Sequence, residues 1–185
     1  MLKSYETERL LLKTLTNESA RLVLDFYKDN KEHFEPWEPT RSHNFYTLAY
    51  QNAFLTAEYN QIMDGKLVRF WIFLKDRLDK PIGSVCFQNL YKEPYHSCSL
   101  GYKFGKNYLN QGYATESVQK GIEIMFHEYH MHRIDAYIMP SNTASLKLVN
   151  RLSFQFEGTC RSFAKINGNW EDHMRYALIN EYQSH

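Results

Sequence analysis

The sequence predicts a mixed α/β domain, with a central sheet of six to seven strands flanked by helices. Three observations predict it. Short apolar runs of strand length are interleaved with stretches of helical period. The segment Ser97–Phe104 alternates, with Cys98, Leu100, Tyr102 and Phe104 on one face and Ser99, Gly101 and Lys103 on the other. A glycine-punctuated turn, Asn110-Gln-Gly-Tyr-Ala-Thr115, then joins that strand to a helix.

Taken in order, Glu8–Leu15 is an apolar run ended by Thr16-Asn17 and reads as the first strand. Thr16 stands where it can cap a helix across Glu18–Tyr27, in which Ala20, Val23, Leu24, Phe26 and Tyr27 keep helical spacing. Phe34-Glu-Pro-Trp-Glu-Pro39 carries two prolines three apart, so it cannot continue a helix and reads as an ordered loop bearing Trp37. A second helix is expected from about Phe45 to Met63. Asp64-Gly65 turns the chain into Val68–Leu74, and Asp76–Lys80 turns it back into Ile82–Leu90, a hairpin. Ser97–Phe104 is the fourth strand. After the glycine turn, Val118, Ile122, Met125, Phe126 and Tyr129 share one side of a helix ending near His130. Arg133–Met139 is a fifth strand closed by Pro140, and Ser145–Leu152 a short helix. Phe154–Glu157 and Met174–Asn180 are late strands flanking the turn Asn167-Gly-Asn169. No repeat or linker divides the chain, so residues 1–185 form one domain.

Composition removes several function classes. Hydrophobic residues at 43% argue for a packed core. Lys plus Arg number 22 against 21 Asp plus Glu, so no global field draws the chain to nucleic acid or an anionic membrane. Cys86, Cys98 and Cys160 are far apart, form no Cys-x-x-Cys pair and suit a reducing cytoplasm. Met1–Tyr5 lacks an apolar signal core, and no run approaches a spanning helix. His127, His130 and His132 cluster at a helix end, but only His127 and His130 share a helical face, which argues against metal.

Gly112 has no Cβ and Ala114 a small one, so the amides of Gln111–Thr115 can approach an anion closely, and the helix that begins there presents its positive dipole end. Taken alone, the segment reads equally as a tight turn before a helix. The wider pattern adds weight. Ser99-Leu-Gly-Tyr-Lys-Phe followed by Asn110-Gln-Gly-Tyr-Ala-Thr-Glu116, then Asn142-Thr-Ala-Ser145, Leu152-Ser-Phe154 and Phe156-Glu-Gly158, resembles the GNAT acetyltransferase superfamily in its RimJ/RimL branch of protein N-terminal acetyltransferases. The resemblance extends from Glu8-Arg-Leu-Leu-Leu to Trp170-Glu-Asp-His173.

The resemblance implies that the fourth and fifth strands are splayed and that the pantetheine arm of acetyl-CoA pairs with the exposed strand edge. Leu100, Gly101 and Tyr102 would hold that arm by their backbone. Asn110, Gln111, Gly112, Tyr113, Ala114 and Thr115 form the turn for the diphosphate. Asn142 would bond the pantetheine or orient Ser145, whose hydroxyl would protonate the departing thiolate. Glu157 resembles the family's acidic residue at the cleft and is the preferred base, through water; an exposed strand-end carboxylate is the other reading. Ser99 stands where many relatives carry an acid, and His96 is a weaker base candidate. Leu109 and Ser153 depart from the usual residues, Ser153 replacing a glycine, and turn reshaping is the favoured reading of both.

On the acceptor side, Trp37 with Arg41, Phe45 and Tyr46 resembles the loop that walls the pocket. The late hairpin, with Trp170, Glu171, Asp172 and His173, would approach the acceptor: an acid to attract a cationic amine, His173 to pass a proton. The implied reaction is direct acetyl transfer from acetyl-CoA, without metal, to a protein N-terminal α-amine of the ribosomal-protein type, by a monomer or homodimer. A small-molecule amine acceptor (polyamine, amino acid or antibiotic) and a non-catalytic acyl-CoA-binding sensor are the alternatives.

Overall fold

The computed structural model describes residues 3–181, so Met1 and Leu2 of the N-terminal stretch lie outside the described residues. One mixed sheet of eight strands organises them, in the order β1-β2-β3-β4-β5-β6-β8-β7. The strands are β1 (Ser4–Glu6), β2 (Leu10–Lys13), β3 (Leu67–Leu74), β4 (Gly83–Tyr91), β5 (Ser97–Phe104), β6 (Arg133–Ile138), β7 (Gln155–Ile166) and β8 (Asn169–Ile179). The helices are α1 (Ala20–Asp29), α2 (Lys31–Phe34), α3 (Leu48–Met63), α4 (Tyr113–His127) and α5 (Thr143–Arg151). The eighth strand, beyond the six to seven expected, is β1, a three-residue piece pairing Ser4–Glu6 with Leu11–Lys13.

All neighbours are antiparallel except β5 and β6, which are parallel and joined by the α4 crossover. Their register runs only from Ser97↔Arg133 to Leu100↔Ala136. Beyond Leu100 the two strands part, so Gly101–Phe104 keeps its β4 partners while its other edge faces a cleft. That is the splay the resemblance implies.

Two apolar cores cover the faces of the sheet. On one, Val118, Ile122 and Met125 of α4 and Leu148 and Val149 of α5 pack on Val85, Phe87, Leu100 and Ile134. Gly121 lets α4 lie close to β4, because a Cβ there would fall 2.8 Å from a ring carbon of Phe87. On the other face, Val23, Phe26 and Tyr27 of α1 and Leu55 of α3 surround Trp71 and Phe73. A buried ion pair, Arg69 to Glu58 at 2.6 Å, fastens α3 to β3.

Boundaries shift where local hydrogen bonding decides them. α3 starts at Leu48 rather than Phe45, because Thr47 caps it by accepting from the Tyr50 N–H, and His43–Tyr46 forms a 3-10 turn instead. Thr16 precedes a 3-10 turn, Asn17–Ser19, without a side-chain cap bond, and α1 begins after it. The proline segment contains a 3-10 turn, Glu35–Trp37, following the short α2. α4 ends at His127, short of His130, which has a left-handed φ of 54°. β7 and β8 are far longer than the late strands expected. Asn167 and Gly168, with φ of 48° and 87°, close them as a two-residue hairpin that pairs Ile166 with Asn169.

Candidate active site

The turn between β5 and α4 exposes backbone donors. Gly112, at φ 84°, is the residue before the helix, and no side chain caps the N-terminus of α4 among the described residues. The Glu116 N–H already donates to the Gly112 carbonyl, which leaves the amides of Tyr113, Ala114 and Thr115 without a helical partner. Asn110 is also left-handed, at φ 58°, so two such residues bracket Gln111 and curve the backbone around the helix head. The Gln111 side chain is occupied, its Nε2 donating to the Asn107 carbonyl at 2.8 Å.

Two arginines reach this turn, and sequence reading assigned neither. Arg9 donates to the Gln111 carbonyl at 3.0 Å and pairs with Glu116. Arg151, in the last turn of α5, donates to Thr115 Oγ1 at 3.3 Å and has no carboxylate partner among the described residues. No local sequence signal points to Arg9, since the residues it joins are about a hundred positions away.

Along the open edge of β5, Tyr102 donates to the Ser145 carbonyl at 3.4 Å and so links the splayed strand to the head of α5. Burial pushes the Tyr102 phenol up to about 12, so it remains a neutral donor. Asn142 caps α5 by accepting from the Ser145 N–H at 3.1 Å. Leu100, Tyr102, Asn142 and Ser145 are thus brought together where β5 and β6 separate.

A small cavity of about 130 Å³ lies beside this cleft, lined by residues that include Tyr27, Phe34, Glu38, Arg41, Tyr46 and Asn167. Lys103, two residues along β5 from Gly101, extends its ammonium to Glu38 and lies over the rings of Tyr27 and Phe34, at 5.2 and 5.4 Å. Arg41 holds the same carboxylate at 2.8 Å. Burial pushes the Glu38 carboxyl up, but Lys103 and Arg41 outweigh it and hold it below its ordinary value.

Several expected acceptor residues stand elsewhere. Tyr46 lines the cavity; Trp37 is 39% exposed and is not among the lining residues, whereas Glu38 beside it is. From the hairpin it is Asn167 that reaches the cavity, its side chain donating to the Glu35 carbonyl at 2.7 Å. Trp170 is 64% exposed. Asp172 accepts from the Ser162 N–H at 2.7 Å, where the β7–β8 register shifts. His173 is buried with Nδ1 3.1 Å from the Glu171 carbonyl, and its ring lies 5.0 Å from that of Phe163. Among the described residues no group of three or more His, Cys, Asp or Glu is arranged to hold an ion.

Glu157 is committed to cations. Its carboxylate pairs with Arg133 and, at 3.5 Å, with Arg175, and both guanidiniums also bond Asp135. The hydrogen bond from Arg133 holds Glu157 below the usual carboxylate range, which weakens the expected base as a proton acceptor. His96 stands before Ser97, at the paired end of β5 and β6, and lines a separate concavity of about 620 Å³ with His130 and Met131. It is therefore at the wrong end of the strand for the cleft. Cys86 and Cys98 are buried free thiols, and burial pushes Cys98 up to about 12, so neither is poised as a thiolate nucleophile.

A parallel strand pair opened at its C-terminal half, an uncapped helix head behind it and a small pocket beside it define a site for an extended, phosphate-bearing ligand and a second substrate. The acetyltransferase (GNAT) domain family matches residues 9–155, and the chain belongs to that family. It is an acetyl-CoA-dependent N-acetyltransferase. The chain is 32% identical to the ribosomal protein uS5-alanine N-acetyltransferase of Escherichia coli K12, over 93% of this chain and 88% of that protein. It is 31% identical to a probable N-acetyltransferase, YjcK, of Bacillus subtilis, over 85% and 86%. Among solved structures, the ribosomal-protein-S5-alanine acetyltransferase of Vibrio fischeri superposes with a TM-score of 0.92 at 30% identity, covering 97% of each chain.

Proposed function

We propose that this enzyme acetylates the N-terminal α-amine of a protein, of the ribosomal-protein type, by direct attack in a ternary complex with acetyl-CoA. The carrying observation is the end of β5–β6 pairing at Leu100↔Ala136, between the α4 turn on one side and the Glu38 pocket on the other. Two relatives at 30% identity or more bear names of ribosomal-protein alanine acetyltransferases, which supports this acceptor class.

In this reading the amides of Gly112–Thr115 bind the diphosphate, with Arg151 beside them, and the open edge of Gly101–Tyr102 pairs with the pantetheine amides. A β5 backbone N–H donates to the oxyanion as the amine nitrogen bonds the acetyl carbon. The carbon–sulfur bond then breaks, and the Ser145 hydroxyl gives its proton to the thiolate and regains one from water. Asn142 holds the head of α5 in place through the Ser145 N–H. An α-amine titrates near pH ~8, so roughly a tenth is neutral at pH 7 and ready to attack once positioned. The amine's surplus proton passes to solvent; Glu157, tied to Arg133 and Arg175, steadies the β6–β8 strands beside the cleft. The site of action is the cytoplasm, with no nucleic-acid or membrane partner.

Thiol release measured with peptides beginning Ala, Ser or Met, and with polyamines, amino acids and aminoglycosides, tests the assignment. Turnover is expected on peptides with a small first residue. Activity confined to the free small amines would replace this acceptor class with the small-molecule one, and coenzyme binding without turnover on any amine would favour the sensor.

A further inference from the structure

The head of α4 carries an electrostatic conflict. Glu116 is in its first turn, so a carboxylate lies beside the amides that are to meet a diphosphate. An anion in the first turn of a helix stabilises the helix, but it opposes a second anion at the same place.

The chain resolves this through the residues between β1 and β2. Thr7 Oγ1 donates to Glu116 Oε1 at 2.5 Å, the Arg9 backbone N–H donates to the same oxygen at 3.0 Å, and Arg9 Nε donates to Oε2 at 2.7 Å. The Arg9 guanidinium also donates to the Gln111 carbonyl at 3.0 Å and lies 4.6 Å from the centre of the Tyr113 ring. A Cβ added at Gly112 would be 3.2 Å from Arg9 Nη2, so the guanidinium lies directly behind the turn. One side chain therefore touches the residue before Gly112, backs Gly112 itself, covers Tyr113 and neutralises Glu116. Burial pushes the Glu116 carboxyl up, but the bonds from Thr7 and Arg9 outweigh it and keep the carboxylate ionised and matched.

We infer that Arg9 is a positioning residue for the diphosphate turn, an inference that rests on the coenzyme reading above. It fixes the Gln111 carbonyl on the outer side, so that the amides that follow face the ligand. It also cancels the Glu116 charge at the helix head. A lysine carries the charge but has no fork to join two acceptors at fixed geometry.

The test measures binding of coenzyme A by calorimetry, and KM for acetyl-CoA and for acetyl-pantetheine, which has the same thioester but no diphosphate. Arg9→Ala is expected to weaken coenzyme A about tenfold and raise the KM for acetyl-CoA similarly, with kcat and the acetyl-pantetheine KM unchanged. Arg9→Lys is expected to recover part of the loss, and it serves as the informative variant if Arg9→Ala does not fold. Gly112→Val separates the two levels of the argument. If Gly112→Val abolishes coenzyme A binding while Arg9→Ala and Arg9→Lys bind as wild type does, the role given to Arg9 is wrong. If Gly112→Val also binds normally, the turn itself is misassigned and Arg9 with it. A loss in Arg9→Ala that is equal for acetyl-CoA and acetyl-pantetheine would mark a general structural defect and likewise overturn the inference.

Discussion

The two halves of the cleft are made of different material. In the proposed reading the coenzyme half is backbone: the amides at the head of α4, the unpaired edge of Gly101–Phe104 and the capped start of α5. The acceptor half, in the same reading, is side chain: Glu38 between Lys103 and Arg41, the rings of Tyr27, Phe34 and Tyr46, and Asn167 from the distant hairpin. A backbone site depends on φ angles and on a few small residues, so it persists through wide changes in surrounding sequence. A side-chain site depends on which charges and shapes happen to meet, so it can be retuned to another acceptor without disturbing the coenzyme. Substitutions on the two sides should therefore fall on different kinetic constants.

The largest effect is expected from Ser145→Ala. The Asn142 cap uses the Ser145 N–H, so α5 keeps its start when the hydroxyl is removed, and the KM for acetyl-CoA should change little. If the hydroxyl protonates the leaving thiolate, kcat should fall by about 100-fold or more. The loss should shrink with a thioester whose thiol is more acidic, which needs no proton to depart. Wild-type kcat in this variant would remove the acid from the coenzyme half and leave it a pure binding surface.

A smaller effect, on the other constant, is expected from Glu38→Gln. Lys103 would lose its anionic partner, the acceptor loop its tie to β5, and the acceptor KM should rise about 5- to 10-fold with the acetyl-CoA KM unchanged. A rise in both would show that the halves are not separable. Acid should act in the same direction. Because the folded Glu38 carboxyl lies below its ordinary 4.5, its contribution is present above the unfolded value and is lost as pH falls through the folded one. Thermal midpoints followed from pH 7 down to about 3 should therefore fall further for wild type than for Glu38→Gln.

The same contrast explains what was legible in the sequence. Ser97–Phe104 and the glycine turn were readable because strand alternation and a positive-φ glycine are local properties of the chain. Asn142 and Ser145 were legible only through the Asn-x-x-Ser segment of the resemblance; the cap that joins them, with the helix starting at Thr143 rather than Ser145, is visible in the structure. Glu38 was hidden between prolines that drew attention to Trp37, and its partner Lys103 is 65 positions away. Arg9 lay in a stretch that read as a strand and opened the family resemblance, but nothing local tied it to a turn about a hundred positions away. The proton-acceptor role expected of Glu157 was an inference from position in a motif, and the cations that occupy it come from β6 and β8, at separations no local pattern encodes. The long β7–β8 hairpin was under-read for a related reason. Its outer residues are exposed and polar, and the register shifts near Gly158 and Cys160 break the alternation by which a strand is recognised.

The smallest effect expected tests where the coenzyme half ends. Ser153 is held at φ 64°, just past α5. The Phe154 N–H donates to the Val149 carbonyl and the Ser153 N–H to the Asn150 carbonyl, the paired bonds of a helix ending that favours glycine at its left-handed residue. A serine there carries a Cβ that the left-handed region penalises, whereas glycine removes the penalty at the expense of a freer unfolded chain. Ser153→Gly should on balance stabilise the fold by about 0.5 to 1 kcal/mol, a rise of roughly 1 to 4 °C in Tm for a chain of this size. Its side chain is exposed, so kcat and both KM values should be unchanged. Arg151, two residues earlier, touches Thr115 of the diphosphate turn. A several-fold change in the acetyl-CoA KM on Ser153→Gly would therefore mean that the helix ending sets the reach of Arg151, and that the coenzyme half extends through all of α5 rather than stopping at its head.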